Sequence, residues 1–291
     1  MLNRRDVWLG LSILVVVAGV VVIALLSVLS LASGDLAGGK KRVAVVDIVG
    51  PIMSSTATVQ QLERYIENEN VPVIVIRLNT PGGGVAASQE IYETVRKARR
   101  AGKTVIASMG AVAASGGYYI AAACDTILAN PGTITGSIGV IASFADFSEL
   151  YKKIGIDFSA RKSGKYKDMG STSRKMTDEE KALLDSVVMD TYDQFVQAVS
   201  EGRNINLDSV RAIADGRIFT GRQALGHGLV DILGTYHDAL DIAGEISGLG
   251  KNPPVLKERR DIWEDLILRE AAKLLWFRVE LGIPKLLYFS Y

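Results

Sequence analysis

Sulfur and imidazole are scarce in this chain. Among 291 residues there are one cysteine, Cys124, and two histidines, His227 and His237. A single cysteine excludes an intrachain disulfide and a cysteine-built zinc site. It lies in Ala121-Ala122-Ala123-Cys124-Asp125, an apolar stretch that reads as core. His227 falls in a turn and His237 beside Asp238 at a helix start, so both are expected at the surface. A surplus of one charge is also missing: 33 Lys and Arg face 32 Asp and Glu, for a net charge of +1. A nucleic-acid partner would call for a basic excess on one face, so none is expected. There is no G-x-x-x-x-G-K-[ST] loop, and no G-x-G-x-x-G follows an apolar run, which argues against nucleotide binding. Neither a cofactor nor a metal is expected.

One stretch lacks charge altogether. The 28 residues between Asp6 and Asp35 are mostly Val, Leu, Ile and Ala. About 20 apolar residues span a bilayer, so residues 7–32 are expected to form a transmembrane anchor. Residues 1–6 would flank it and 33–41 would form a linker, softened by Ser33-Gly34 and Gly38-Gly39. Ser30-Leu31-Ala32 could serve as a signal-peptide cleavage site, but the apolar run exceeds the roughly 7–15 residues of such peptides. Arg4 and Arg5 favour a cytoplasmic N-terminus, against Lys40, Lys41 and Arg42 on the other side. The expected placement is a single-pass protein of the cell membrane with its domain on the extracytoplasmic side.

The remaining residues, about 250, suffice for one large domain. Strands are expected at Val43–Val49, Val71–Leu78, Thr104–Ser108 and Asp125–Ala129, with shorter ones near Thr133–Ser143 and Ile156–Lys162. Helical spacing marks Thr58–Asn70, Val85–Arg100, Ser115–Ala123, Thr177–Ser200, Leu207–Ala214 and Tyr236–Ile246. Thr177 with Glu180 three residues on reads as a capping box. Continuous apolar strands alternating with helices predict an α/β fold with a largely parallel sheet covered on both faces. Sites in such folds lie at the carboxyl ends of strands. Two Gly-rich breaks hold such ends, Pro81-Gly82-Gly83-Gly84 and Met109–Gly117.

Three glycines after a buried strand free backbone N–H groups that can hold an anion or a developing oxyanion. In the second break, Ser115 stands at the mouth of a helix among small residues, followed by Gly116 and Gly117. It can be a nucleophile, or simply the helix N-cap, the commonest role for a serine there. A nucleophilic serine needs a base, and neither histidine is well placed. A lysine is the alternative, provided that its environment favours the neutral form. Lys165 and Lys167 in Ser163-Gly164-Lys165-Tyr166-Lys167-Asp168 would share one side of an extended segment, so spacing does not choose between them.

Together these motifs resemble the signal peptide peptidase A (protease IV) family, in its short single-module form. The matching stretches are Asn79–Gly84, Ala113–Tyr119, Thr135–Val140, Ser163–Asp168, and Ala214–Gly221 leading to Gly228–Asp231. They keep the family order over roughly residues 42–248, the expected peptidase domain. The resemblance implies a Clp protease/crotonase-like fold of repeated ββα units. It implies Ser115 as nucleophile, Lys167 as general base and Ser137 as the serine orienting that lysine. Gly83 and Gly116 would be the oxyanion donors, with Gly84 a near alternative to Gly83. It further implies a homo-oligomeric ring in which each Ser-Lys dyad is shared between neighbours. The implied substrates are signal peptides left in the membrane, and other apolar peptides.

Residues 249–291 match no family motif and read as an amphipathic extension, carrying Trp263, Leu266 and Trp276 among charges. The rival readings are a stomatin-cleaving membrane peptidase, a crotonase-like acyl-CoA enzyme and a non-catalytic membrane scaffold.

Overall fold

The computed structural model describes residues 39–258 and the backbone of residues 287–289. The expected anchor over 7–32 and the apolar residues of 261–281 lie outside the described residues. Among the described residues, no helix is long and apolar enough to cross a membrane.

The strands are β1 (Val43–Val49), β2 (Val73–Thr80), β3 (Gly82–Gly84), β4 (Thr104–Ala114), β5 (Thr126–Ala129), β6 (Ile134–Gly136), β7 (Ile218–Thr220), β8 (Ile232–Leu233), β9 (Val255–Lys257) and β10 (Leu287–Phe289). The helices are α1 (Thr56–Glu67), α2 (Val85–Arg100), α3 (Gly116–Ala122), α4 (Ser148–Lys153), α5 (Asp178–Arg203), α6 (Leu207–Arg211), α7 (Gly221–Gly226) and α8 (Tyr236–Ser247). The main sheet runs β7-β6-β4-β2-β1-β9, with β5 and β8 branching from β4. Only the β6–β7 pair is antiparallel within it. The expected α/β fold with a mostly parallel sheet is therefore present. Strand β9 lies in the stretch read as an extension, yet it completes the sheet edge beside β1.

Strand alternation explains the apolar runs. Ala44, Val46, Ile74, Ile76 and Val105 face the larger core beneath α1, α2, α3 and α5, whereas Val43, Val45, Val73, Val75 and Ile106 face α8. Because both faces are covered, neither set of alternate residues is polar.

Two expectations are corrected. Residues 156–162 form no strand: Ile154–Lys167 are all exposed, and among the described residues no neighbouring strand offers them backbone partners. The third strand does not stop at Ser108. It continues to Ala114, pairing with β5 through Ile106–Ser108 and with β6 through Val112–Ala114. A register shift against β2 between Leu78 and Thr80 marks the change of partner. Side chains secure this Gly- and Ala-rich half: Thr133 Oγ1 donates to the Gly110 carbonyl and Thr135 Oγ1 to the Ala113 carbonyl, both at 2.7 Å.

Helix α3 is clamped from below. The Tyr119 ring lies 4.8 Å from that of Tyr92 and 4.9 Å from that of Phe195 on α5. The Tyr118 hydroxyl donates to the Leu229 carbonyl at 2.9 Å. Helices α5 and α3 approach so closely at Gly202 that a Cβ there would stand 2.0 Å from the Ala122 carbonyl oxygen. Gly202→Ala is thus expected to destabilise the fold by about 1–3 kcal/mol through overpacking. This outweighs the roughly 1 kcal/mol gained from helix propensity. Urea unfolding would show a lowered midpoint; an unchanged midpoint would mean that the two helices have room to part.

Candidate functional site

The site forms where β4 and β6 end side by side. Ala114 and Gly136 are paired in parallel register, so the residues that follow them, Ser115 and Ser137, emerge next to each other. The Ser115 N–H donates to the Gly136 carbonyl at 2.8 Å, and the Ser137 N–H donates to the Arg217 carbonyl at 2.8 Å. Both serines sit at positive φ, 54° and 51° respectively. Such conformations are uncommon for residues with a Cβ, and each stores on the order of 1–3 kcal/mol of strain.

Ser115 occupies the N-cap position of α3 but makes no side-chain cap hydrogen bond. The capping role weighed against nucleophilicity is therefore not what the side chain does. Its φ/ψ of 54°/−118° swings Oγ away from the helix N–H groups that a cap would meet. Among the described residues, Ser115 Oγ is the buried side-chain polar atom without a hydrogen-bond partner, and the residue is 0% exposed. An orphaned hydroxyl held in a strained turn calls for an explanation other than stability.

Gly82–Gly84 flank this turn. The tripeptide forms a short strand, with Ile52 bridged to Gly83 in parallel and β10 paired antiparallel on it. At Gly83 a Cβ would lie 2.3 Å from the Ile52 carbonyl oxygen, so only glycine admits this approach. In β10, Tyr288 stands opposite Gly83 and Phe289 opposite Gly82. The glycine strand thus accepts an extended backbone along its edge. Gly116 opens α3, and the N–H of a first helical residue has no intrahelical acceptor. Within the glycine strand, the Gly82 N–H is donated to Thr80 Oγ1 at 3.1 Å and the Gly84 N–H to the Ile52 carbonyl at 2.8 Å, so of the expected oxyanion donors Gly83 and Gly116 remain candidates and Gly84 does not.

Ser137 also lines an open cavity of about 400 Å³ with Val140, Val188, Met189, Tyr192 and Asp215. Among the described residues, no group of three or more His, Cys, Asp or Glu could hold a metal ion.

The structure does not bring Lys167 to these serines. Lys167 is exposed in a run of turns, and its ammonium makes no hydrogen bond or ion pair with a described residue. Its neighbours are engaged: Lys162 pairs with Asp168 at 2.6 Å, while Lys165 and Tyr166 both bind Glu179. The Glu179 carboxylate, chiefly through that hydrogen bond, raises the Lys165 pKa and so favours its charged form. The two histidines lie at the surface, as expected, His227 stacked on Phe219 and His237 near Tyr236. Cys124 is buried, and burial pushes its thiol pKa up.

Sequence reasoning passed over Thr80, Thr135 and Arg174. Thr80 is fully buried and its Oγ1 accepts the Gly82 N–H at 3.1 Å, fixing the start of the glycine strand. Lone threonines amid Gly and Ala are the only sign of this in the sequence. Arg174 sits in a polar stretch with no periodicity to single it out.

Residues 97–249 match the family model described as Peptidase family S49, and residues 36–147 match that of Clp protease. A proposed protease of Synechocystis sp. is 44% identical over 211 residues, covering 72% of this chain and 76% of its own length. A proposed signal peptide peptidase SppA of Enterococcus faecium is 42% identical, covering 62% of this chain and 53% of its own length. Protease 4 of Haemophilus influenzae is 32% identical, covering 70% of this chain and 35% of its own length.

Burying an unpartnered hydroxyl costs about 1–3 kcal/mol. Ser115→Ala is therefore expected to raise the thermal midpoint, and Ser115→Gly, which also relieves the positive φ, to do so as well. A lower midpoint in Ser115→Ala would reveal a partner for Oγ.

Proposed function

Because the chain belongs to peptidase family S49 and is a serine peptidase, we propose that it cuts peptides with Ser115 as nucleophile and Lys167 as general base. The lysine comes from a neighbouring copy. The orphaned, strained and fully buried Ser115 hydroxyl carries the nucleophile assignment. Such a group persists when it serves chemistry.

The separation of Lys167 from Ser115 supports the sharing. The Lys167 segment is tied to the start of α5 through Asp168, Arg174 and Glu180. Helix α3 rests on the same helix at Phe195. From Glu180 to Phe195 is about 22 Å along the helix at 1.5 Å per residue. The cavity beside Ser137 offers a second copy's lysine a place next to the serine that would orient it. Exposed apolar side chains in the segment leading to Lys167, including Ile154, Ile156 and Phe158, suit burial against that copy.

In the reaction, neutral Lys167 takes the Ser115 proton as Oγ attacks the peptide carbonyl. The Gly83 and Gly116 N–H groups hold the oxyanion; Gly84, the near alternative, is ruled out because its N–H is donated to the Ile52 carbonyl at 2.8 Å. The ammonium then returns its proton to the leaving amine, and the C–N bond breaks. Water, deprotonated by the lysine, hydrolyses the acyl-enzyme and restores Ser115. Ser137 orients the lysine throughout. The substrate strand lies antiparallel on Gly82–Gly84; β10 on that edge supports an extended peptide as ligand. The physiological substrates are remnant signal peptides, reached from an anchor over residues 7–32 with the domain on the extracytoplasmic side. The charge-free run and the likeness to a proposed signal peptide peptidase support this.

Ser115→Ala and Lys167→Ala are each expected to abolish hydrolysis of an apolar peptide, whereas Lys165→Ala keeps most of it. Full activity in Lys167→Ala would remove that lysine from the mechanism. The two inactive variants, mixed before assembly, should regain activity, since a mixed pair contains one intact dyad. If they remain inactive, sharing is wrong.

A further inference from the structure

The segment carrying Lys167 has few internal supports. Residues 154–167 are exposed throughout, with no helix or strand between Lys153 and Asp178. Lys165 and Tyr166 reach Glu179 at the start of α5 from the exposed side, and one guanidinium, less exposed than they are, holds the residue after Lys167. Arg174 Nε donates to Asp168 Oδ2 at 2.9 Å and Nη2 to Asp168 Oδ1 at 2.7 Å. The other edge of the same group faces Glu180, with Nη1 donating to Oε2 at 2.8 Å and Nη2 to Oε1 at 2.5 Å. Glu180, only 3% exposed, lies in the first turn of α5 and also accepts the Thr177 N–H at 2.9 Å in the capping box. Arg174 further donates to the carbonyls of Lys175 and Asp168, at 3.1 and 3.3 Å.

A planar fork thus joins two carboxylates, one on a 26-residue helix and one on the residue that follows Lys167. Lysine could not reproduce this, because its ammonium is a point charge without the fork geometry. We propose that Arg174 is a positioning residue that fixes the lysine base by fastening Asp168 to the rigid start of α5. This rests on the reading of Lys167 as the base. The clamp stays charged at neutral pH. Its hydrogen bonds with Arg174, foremost, hold the Asp168 carboxyl far below the usual carboxylate range and bring that of Glu180 down to about 2. Lys162, paired with Asp168 at 2.6 Å, adds a second cation on the same carboxylate. Loss of the fork leaves the carboxylate of the residue next to Lys167 tied only to the mobile end of Lys162 and no longer to α5, and a base displaced by about 1 Å can lose on the order of 10²-fold in rate.

The test is steady-state kinetics of the full chain on a fluorogenic apolar peptide, with KM and kcat separated. Arg174→Gln is expected to lower kcat on the order of 10²-fold while KM stays within about twofold. Arg174→Lys should recover about tenfold of that loss by keeping one charge-assisted bond. Asp168→Asn leaves the Arg174–Glu180 pair in place, so it should lower kcat in the same way even if Arg174→Gln fails to fold. Unchanged kcat in Asp168→Asn, or a loss carried by KM, would overturn the proposal. Lys167→Ala is measured alongside. If it is inactive while the clamp variants are unimpaired, the clamp alone is wrong; if it is fully active, the base assignment itself fails.

Discussion

The hydrogen bond from the Ser115 N–H to the Gly136 carbonyl is the constraint on which the site depends. It extends the parallel β4–β6 ladder one residue past the end of β4, at the point where the chain must turn into α3. With its N–H committed, Ser115 can enter the helix only through a positive φ. That conformation directs the hydroxyl away from the capping position and leaves Gly116 to start the helix. The strain is held by what lies underneath: Tyr118 bonded to the Leu229 carbonyl, and Tyr119 between Tyr92 and Phe195. Ser137 repeats the geometry one strand over, anchored on the Arg217 carbonyl. Two adjacent strained serines at the end of a parallel pair follow from the register, given the length of β4.

Much of this frame was legible because burial imposes pattern. Val43–Val49 and Val85–Arg100 have the observed bounds, since an apolar run closed by Gly-Pro and a helical stripe closed by Ala-Gly leave little choice. The capping box at Thr177 and Glu180 is equally local in cause. The second half of β4 was not legible. Met109–Ala114 is poor in β-branched residues and reads as a loop, and only a neighbouring strand and two threonines make it extended. Ile156–Lys162 failed in the opposite way: apolar enough for a strand, it has no neighbour to pair with among the described residues. Motif order singled out Ser115, Ser137 and Lys167. Arg174 escaped notice because its partners stand six residues away on either side, a spacing that belongs to no periodic element.

Both glycine-dependent approaches serve the same turn from different sides. Gly83 lets the glycine strand lie against Ile52, which fixes the strand beside the turn. Gly202 lets α5 press on the end of α3, which seats the helix that the turn opens. A methyl group at either would displace backbone rather than a movable side chain.

Helix α5 has a second consequence. Its Phe195 and Gly202 end supports the turn of Ser115, and its Glu180 end holds the segment of Lys167. Were dyads shared as proposed, these two ends would belong to different reaction centres, and every copy of α5 would act as a rod between one centre and the next. A closed set of copies would then be linked in series, and a tilt of one helix as peptide enters its own site would be felt as a shift of the proton acceptor next door.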